Sequence, residues 1–516
     1  MKFTSRSLPK LSHCPQYEDV IFLPRMSTYE ELNRLGKKLS KRAWIKKLLR
    51  PTTQFHTKMP GVVIAERLFG EYNLSRSLNQ DTEPDWIERL SPTGKRHVRG
   101  RYALAGDGLE HFACQPSIPY SGLGYVIVED GLTDELTRAL GLHRLSGIRQ
   151  LGYLHDPIIR ETSETPAFGM DFGHTRYSHV LDVMAVTMLI LLQNRCPDDF
   201  IRSVRAAALS HDALTPTGGD TTKLVDPVAF DEDAHYPEAL AGDAWRKVQR
   251  QFGLDRELMI DAVQGRGLGA EVLDIADKLS YVARDAAAYQ SRYSSEELTP
   301  GCFEVSSFLQ NHSLVCGLWD AVVIRNGRMA ITEPDRLGQF LHLRGLLYRN
   351  IYQNPAARYF EHIVSNIVVK YLYGTGQVTR RMLLAMQDAE LDHMIDQVLG
   401  RKYWSRIING LEEPRVECFS SEEKARQREE QLRRDGVAIT YIEHLRQGMK
   451  PCTNLPILNR GKIVPFEDAF SGKAEQITEL FRRPTPYRLY YALRHEALGP
   501  EFFTALAFAR QAKERR

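Results

Sequence analysis

The dipeptide His211-Asp212 ends the apolar run Val204-Arg-Ala-Ala-Ala-Leu-Ser210, and an imidazole next to a carboxylate offers two donors for a metal ion. In mid-helix, adjacent side chains point ~100° apart, whereas at a helix end they can splay toward one point. A second dipeptide, His155-Asp156, is followed at once by Pro157 and reads as a turn, so context separates the two. Further donors would come from other helices: His179 in Arg176-Tyr-Ser-His179, and Asp277 in Ile275-Ala-Asp-Lys-Leu-Ser-Tyr-Val-Ala-Arg-Asp285. Two imidazoles and two carboxylates suit a divalent metal (Mn, Mg, Fe, Ni or Zn) and leave positions open for water and phosphate oxygens. A lone histidine on an apolar helix is usually part of the core; the ordered set of four points to a metal centre.

The elements that must position these residues are helical. Apolar positions recur at three and four through Leu132 to Leu151, His179 to Leu192, Ile201 to Leu209, Val272 to Tyr289 and Leu337 to Tyr373. Two breaks interrupt them: the Gly-rich turn Thr215 to Asp220, directly after the dyad, and a hairpin from Val322 to Ile331 around Asn326-Gly327. Ahead of the helices, Gly122 to Gly131 holds one short strand ending in a turn. Beyond them, Ser420 with Glu423 forms a capping box for a charged helix that Gly436 ends, and Tyr487 to Phe508 reads as a strand followed by a helix.

With 516 residues, 43% of them hydrophobic, the chain can bury a large core, and ~150 residues per domain suggests about three units. A net charge of +3 excludes both a nucleic-acid coat protein and an acidic solvating chain. Seven dispersed cysteines with no C-x-x-C exclude a disulfide framework and a zinc ribbon, which fits a reducing cytoplasm. No apolar leader follows Met1, and the run Val183 to Leu192 is shorter than the ~20 residues of a membrane span, so no membrane association is expected. Residues 34–50 carry eight Lys or Arg and no acid, with Leu35, Leu39 and Leu48 at roughly helical spacing. This basic helix is either a solvated face docked by its leucines or a contact for nucleic acid, a polyphosphate effector or an acidic partner. The irregular stretch 51–119 suggests no role.

Between about residues 125 and 375 the sequence resembles the HD-domain deoxynucleoside triphosphate triphosphohydrolases, nearer the SAM-and-HD-domain type than the bacterial dGTPase type. The resemblance is carried by Ile148-Arg-Gln-Leu-Gly152, Arg176-Tyr-Ser-His179, His211-Asp212, Ala276-Asp-Lys-Leu-Ser-Tyr-Val-Ala-Arg-Asp285, His342-Leu-Arg344 and Tyr352-Gln353. It implies a mainly α fold: an irregular N-terminal region with the basic helix (1–124), a helical HD core with a few short strands (125–375), and a C-terminal α+β lobe (376–516). It also implies that His179, His211, Asp212 and Asp277 bind the metal while Arg176, Lys278 and Arg344 contact the triphosphate. Three such cations plus a metal would offset its ~4 negative charges. Gln150 and Asp285 would bond the sugar 3′-hydroxyl, with Leu151 beside them. Tyr352 would exclude a 2′-hydroxyl, and Tyr281 and Gln353 would lie near phosphate and base. Asp277, Lys278, Tyr281 and Asp285 stand close to one helical stripe, so all four can face one pocket.

The chain departs from this pattern just after the dyad, where the family commonly carries histidines and this sequence has Thr215 and Asp220. An aspartate at 220 would repel a triphosphate unless it touches the metal or Lys223. His235 falls where the family places another catalytic histidine and is the candidate general acid, grouped with Asp212 and Asp220 as catalytic. The implied reaction is metal-assisted hydrolysis at the α-phosphorus, giving deoxynucleoside and inorganic triphosphate. The resemblance further implies a homo-oligomer activated by nucleotides between subunits. Two alternatives stay open: an HD phosphodiesterase or nuclease using the basic helix on single-stranded nucleic acid, and a catalytically weakened nucleotide sensor.

Overall fold

A computed structural model describes residues 20–23, 125–128, 131–154, 175–292, 317–399, 415–437, 439–444, 451–481, 486–491 and 500–514. The basic segment 34–50, the stretch 51–119 and His155-Asp156 lie outside the described residues.

The fold is mainly α, with a helical core and small strand regions. After the antiparallel pair β1 (Val20–Leu23) and β2 (Tyr125–Val128), helix α1 spans Gly131–Leu140 and α2 spans Arg176–Gln193. Helix α3 (Asp198–Ser210) leads into the dyad, and the short α4 covers Gly219–Lys223. Three further helices, α5 (Glu232–Ala239), α6 (Asp243–Phe252) and α7 (Arg256–Val263), precede the long α8 (Gly267–Arg292). Strands β3 (Val322–Arg325) and β4 (Arg328–Ile331) then give way to α9 (Pro334–Leu347) and α10 (Pro355–His362).

Helix α2 is the central pillar because it is apolar almost all round. Val180, Leu181, Val183, Met184, Ala185 and Val186 are all buried, and it packs against both α3 and α8. Alanines 206, 207 and 208 let α3 approach closely, and Asp198 and Asp199 in its first turn complement the positive end of the helix. One core cluster runs from Leu132 through α2, α3, α8 and α9, so three helices that carry candidate donors share a single packed interior.

The remaining segments build on this core. Helices α11 (Asp388–Leu399) and α12 (Glu422–Arg434) flank β5 (Arg415–Phe419), followed by β6 (Thr440–His444). The hairpin β7 (Pro456–Asn459) and β8 (Lys462–Pro465) precedes α13 (Ser471–Phe481), β9 (Tyr487–Tyr491) and α14 (Pro500–Glu514). Strand order is β3-β4-β7-β8 in one sheet and β5-β9-β6 in another. The β4–β7 pairing is parallel, through Ile331 and Ile457, and α13 packs on α9, so residues 451–481 share the core built by α2, α3, α8 and α9.

The β3–β4 hairpin turns at Asn326-Gly327, both with positive φ (52° and 71°), as the sequence requires of a tight two-residue turn. The strand and helix expected at the tail are β9 and α14. Three expectations need correction. The helical run Leu132 to Leu151 stops at Leu140, because Gly141 takes φ +64° and the chain continues in 3₁₀ turns. The run Leu337 to Tyr373 is broken at Gln353-Asn354 by Pro355, which has no N–H and bars the preceding residue from continuing the helix. The charged helix is capped by Ser421 rather than Ser420; its side chain accepts from the Lys424 N–H at 3.4 Å, and Gly436 with φ +87° lies just past the end.

Candidate metal centre and substrate pocket

Each donor is delivered by a separate local device. Arg176 and His179 occupy the first turn of α2 three residues apart, so they share a face, and the Arg176 N–H is fixed by the Ile148 carbonyl at 2.8 Å. His211 follows the last residue of α3 in helical backbone geometry, and a tight turn from Ser210 to Ala213 then redirects the chain. Beneath this turn the hydroxyls of Ser210 and Tyr236 meet at 2.5 Å in the buried interior. Asp277 comes from the middle of α8.

One ligand atom each from His179, His211 and Asp277 lies within 4.8 Å of the other two. His179 Nε2 is 2.9 Å from Asp277 Oδ1, and the two imidazoles stand edge to face with centroids 5.5 Å apart. The Nδ1–H of His211 donates to the Ala208 carbonyl at 2.7 Å, which directs the lone pair of Nε2 into the cluster, the arrangement a metal ligand needs. Two nitrogens and a carboxylate converging in this way fit a divalent first-row ion. Burial works against the His211 imidazolium, but Asp212, Asp277 and the Ala208 carbonyl outweigh it and raise its pKa.

Asp212 stands beside this group. Its Oδ1 lies 3.7 Å from His211 Nε2, while Oδ2 accepts from Arg176 Nη1 at 3.2 Å. Burial opposes ionisation of Asp212, yet Arg176, His211 and His179 prevail and hold its carboxyl far below the usual range. Arg176 likewise keeps its charge against burial because Asp220 and Asp212 face it. Its Nη2 donates to Asp220 Oδ2 at 2.7 Å. Asp220 also meets Lys223 at 2.8 Å, so the condition set by its negative charge is satisfied by two cations.

Two residues of the stripe on α8 hydrogen-bond to side chains from the segment 334–352. Tyr281 accepts from Arg344 Nε at 2.6 Å, and Tyr352 donates to the fully buried Asp285. Burial, then the negative charge of Asp285, pushes the Tyr352 phenol well above its ordinary pKa, so it remains a donor. Arg344 lies over the ring of Phe481, 5.5 Å from its centroid, which brings α13 beside Arg344. Lys278, in contrast, is ion-paired with Asp274 one turn earlier on its own helix. Gln150 and Leu151 are buried in the turn before Gly152; the amide oxygens of Gln150 and Gln353 have no hydrogen-bond partner among the described residues.

His235 is not turned on the metal donors. Nδ1 meets Glu238 at 2.6 Å and Nε2 meets the Val228 carbonyl at 3.1 Å. Sequence reasoning missed three groups that shape the segment after the dyad. Glu232 accepts from Thr215 at 2.6 Å and from Lys223 at 2.5 Å, while Arg144 donates to the carbonyls of Thr215 at 2.7 Å and Ala213 at 3.3 Å. Asp388 on α11 accepts from the Gly218 N–H at 2.7 Å. The only available signal was the placement of Lys223 three residues after Asp220. Arg144 and Asp388 are distant in sequence and carry no local mark.

Solved structures share this architecture. The chain superposes on a phosphohydrolase from Bacteroides thetaiotaomicron with a TM-score of 0.53 and 14% identity, covering 74% of this chain and all of that one. It is also similar to a hypothetical protein from Aquifex aeolicus, with a TM-score of 0.51, 16% identity and coverage of 77% and 98%. At such identities the likeness is one of fold. No family model and no curated protein matches the sequence. Among the described residues no helix is long and apolar enough to cross a membrane.

Proposed function

We propose that this chain is a metal-dependent phosphohydrolase that converts deoxynucleoside triphosphates to deoxynucleoside and inorganic triphosphate. The observation that carries the reading is the convergence of His179, His211 and Asp277 within 4.8 Å, with Asp212 and Arg176 directly alongside. A divalent ion held there by His179, His211, Asp277 and Asp212 would supply Lewis acidity and lower the pKa of a water molecule. The name of the Bacteroides neighbour supports the broader class.

The protein's own groups have separate tasks in this reading. Arg176, Arg344 and Lys278, the last released from Asp274, hold the triphosphate in line. Gln150 and Asp285 bond the 3′-hydroxyl, with Leu151 packed beside them; the amide oxygens of Gln150 and Gln353, without a partner among the described residues, are acceptors that a nucleoside can satisfy. Tyr352, anchored on Asp285, closes the space a 2′-hydroxyl needs, and Tyr281 orients Arg344. His235 protonates the 5′-oxygen as it leaves. Glu238 on Nδ1 orients the ring, and Nε2 exchanges the Val228 carbonyl for the leaving oxygen.

Incubating the protein with each dNTP, each NTP and short oligonucleotides, with Mn or Mg, tests the proposal by its products. Nucleoside plus triphosphate from dNTPs is expected. Cleavage of oligonucleotides alone would make the chain a nuclease, and no turnover of any substrate would make it a sensor. Changing both His211 and Asp212 to Ala should cut turnover ~10³-fold or more and lower bound metal, while the same change at His155-Asp156 should not.

A further inference from the structure

We propose that Arg176 and Lys223 form an anion subsite for one phosphoryl group of the substrate, and that Asp220 is an internal carboxylate that fills this subsite in the free protein. The inference deepens the phosphohydrolase reading and rests on it for the identity of the natural ligand.

The first support is the way Asp220 is held. Its Oδ2 sits on Arg176 Nη2 at 2.7 Å and its Oδ1 on Lys223 Nζ at 2.8 Å, one oxygen to each cation, as a bridging anion would be. Exposure separates the partners. The Arg176 side chain is 6% exposed and that of Lys223 23%, whereas the Asp220 side chain is 58% exposed, so the carboxylate meets two recessed cations from the open side.

The second support is an unused donor. Arg176 Nε is buried and has no hydrogen-bond partner among the described residues. Nε and Nη2 lie on the same edge of a guanidinium and together make a fork for two oxygens of one anion. Asp220 uses only Nη2, because its other oxygen is drawn to Lys223. A tetrahedral phosphoryl group has enough oxygens to engage Nε, Nη2 and Lys223 at once.

The cations keep their places when Asp220 leaves. Arg176 remains tied to Asp212 through Nη1 at 3.2 Å, and Lys223 remains tied to Glu232 at 2.5 Å, which Thr215 in turn holds at 2.6 Å. Asp220 is therefore a competitor with a single negative charge. Any phosphoryl ligand bears the same cost of displacing it, and a triphosphate, which adds further contacts elsewhere in the pocket, meets that cost more readily than orthophosphate does.

Calorimetric titration with inorganic triphosphate and with orthophosphate, on protein kept metal-free by a chelator, tests this without catalysis. Asp220→Asn should bind inorganic triphosphate ~10-fold more tightly than wild type, and orthophosphate more tightly by a similar factor. Adding Lys223→Met to Asp220→Asn should remove the gain, and Asp220→Glu should restore wild-type affinity. Asp220→Ser provides the same reading if the Asn variant does not fold. Equal or weaker triphosphate binding in the Asn and Ser variants overturns the proposal. If wild type hydrolyses no dNTP while Asp220→Asn still tightens triphosphate binding, the subsite stands and the dNTPase reading falls. If wild type hydrolyses dNTPs and the variants bind no tighter, the reading stands and the subsite falls.

Discussion

Replacing Tyr352 separates the two things its side chain does. The phenol donates a hydrogen bond to Asp285, which is fully buried, and its ring forms the wall beside the sugar in the proposed pocket. Tyr352→Phe keeps the ring and deletes one bond to a buried carboxylate, and bonds to charged groups contribute ~1.5–3 kcal/mol. Loss of stability near the middle of that range, ~2 kcal/mol in urea unfolding, is the expected result. Tyr352→Ala also removes the ring and opens the space for a 2′-hydroxyl. A rigid wall can discriminate by ~10²-fold in kcat/KM, or ~2.7 kcal/mol, so the Ala variant should lose most of the preference for dGTP over GTP and for dATP over ATP. The Phe variant should fall between, since its wall is present but no longer anchored. Competition assays with each pair of nucleotides measure the ratio directly. A wild type that prefers ribonucleotides, or an Ala variant with an unchanged ratio, would refute the sugar-pocket assignment.

Three further outcomes follow from the geometry. His235→Asn should lower kcat ~10²-fold with little change in KM; unchanged kcat would remove this residue from the mechanism. Gly152→Ala places a Cβ 2.6 Å from the Gly218 carbonyl at a residue with φ +53°. It should cost ~1–3 kcal/mol and raise KM by shifting the segment that carries Asp220, and a variant with wild-type melting and KM would count against that coupling. Because Asp212, Asp277 and the Ala208 carbonyl raise the pKa of His211, a metal at Nε2 competes with a proton there, so apparent metal affinity should rise with pH through the histidine range. Affinity independent of pH between about 5.5 and 8 would contradict the assignment of His211 as a ligand.

The helices that carry the donors were legible because each has a long apolar pattern, and α2 and α3 bury nearly every residue of it. The dyad was legible because His211-Asp212 stands at the end of such a pattern, where side chains can converge. Positions where a single residue interrupts the pattern were not. Gly141 stops α1 although apolar spacing continues beyond it, and Pro355 divides what reads as one helix. The surroundings of Asp220 were only half visible. Its pairing with Lys223 lies within one helical turn, but its contact with Arg176 and the anchoring of the Thr215 turn by Arg144 join segments distant in sequence. Such contacts leave no periodicity to read. Likewise, Phe481 and the strand β7 gave no hint that residues 451–481 pack against the helices of the candidate metal site.

Water should attack the α-phosphorus of a deoxynucleoside triphosphate, and hydrolysis of dGTP with Mn in ¹⁸O-labelled water tests this most directly. The bond between the α-phosphorus and the 5′-oxygen should break, so the label should appear only in inorganic triphosphate and the deoxynucleoside should be unlabelled. Release of orthophosphate or pyrophosphate, or label in the nucleoside 5′-hydroxyl, would contradict attack at the α-phosphorus.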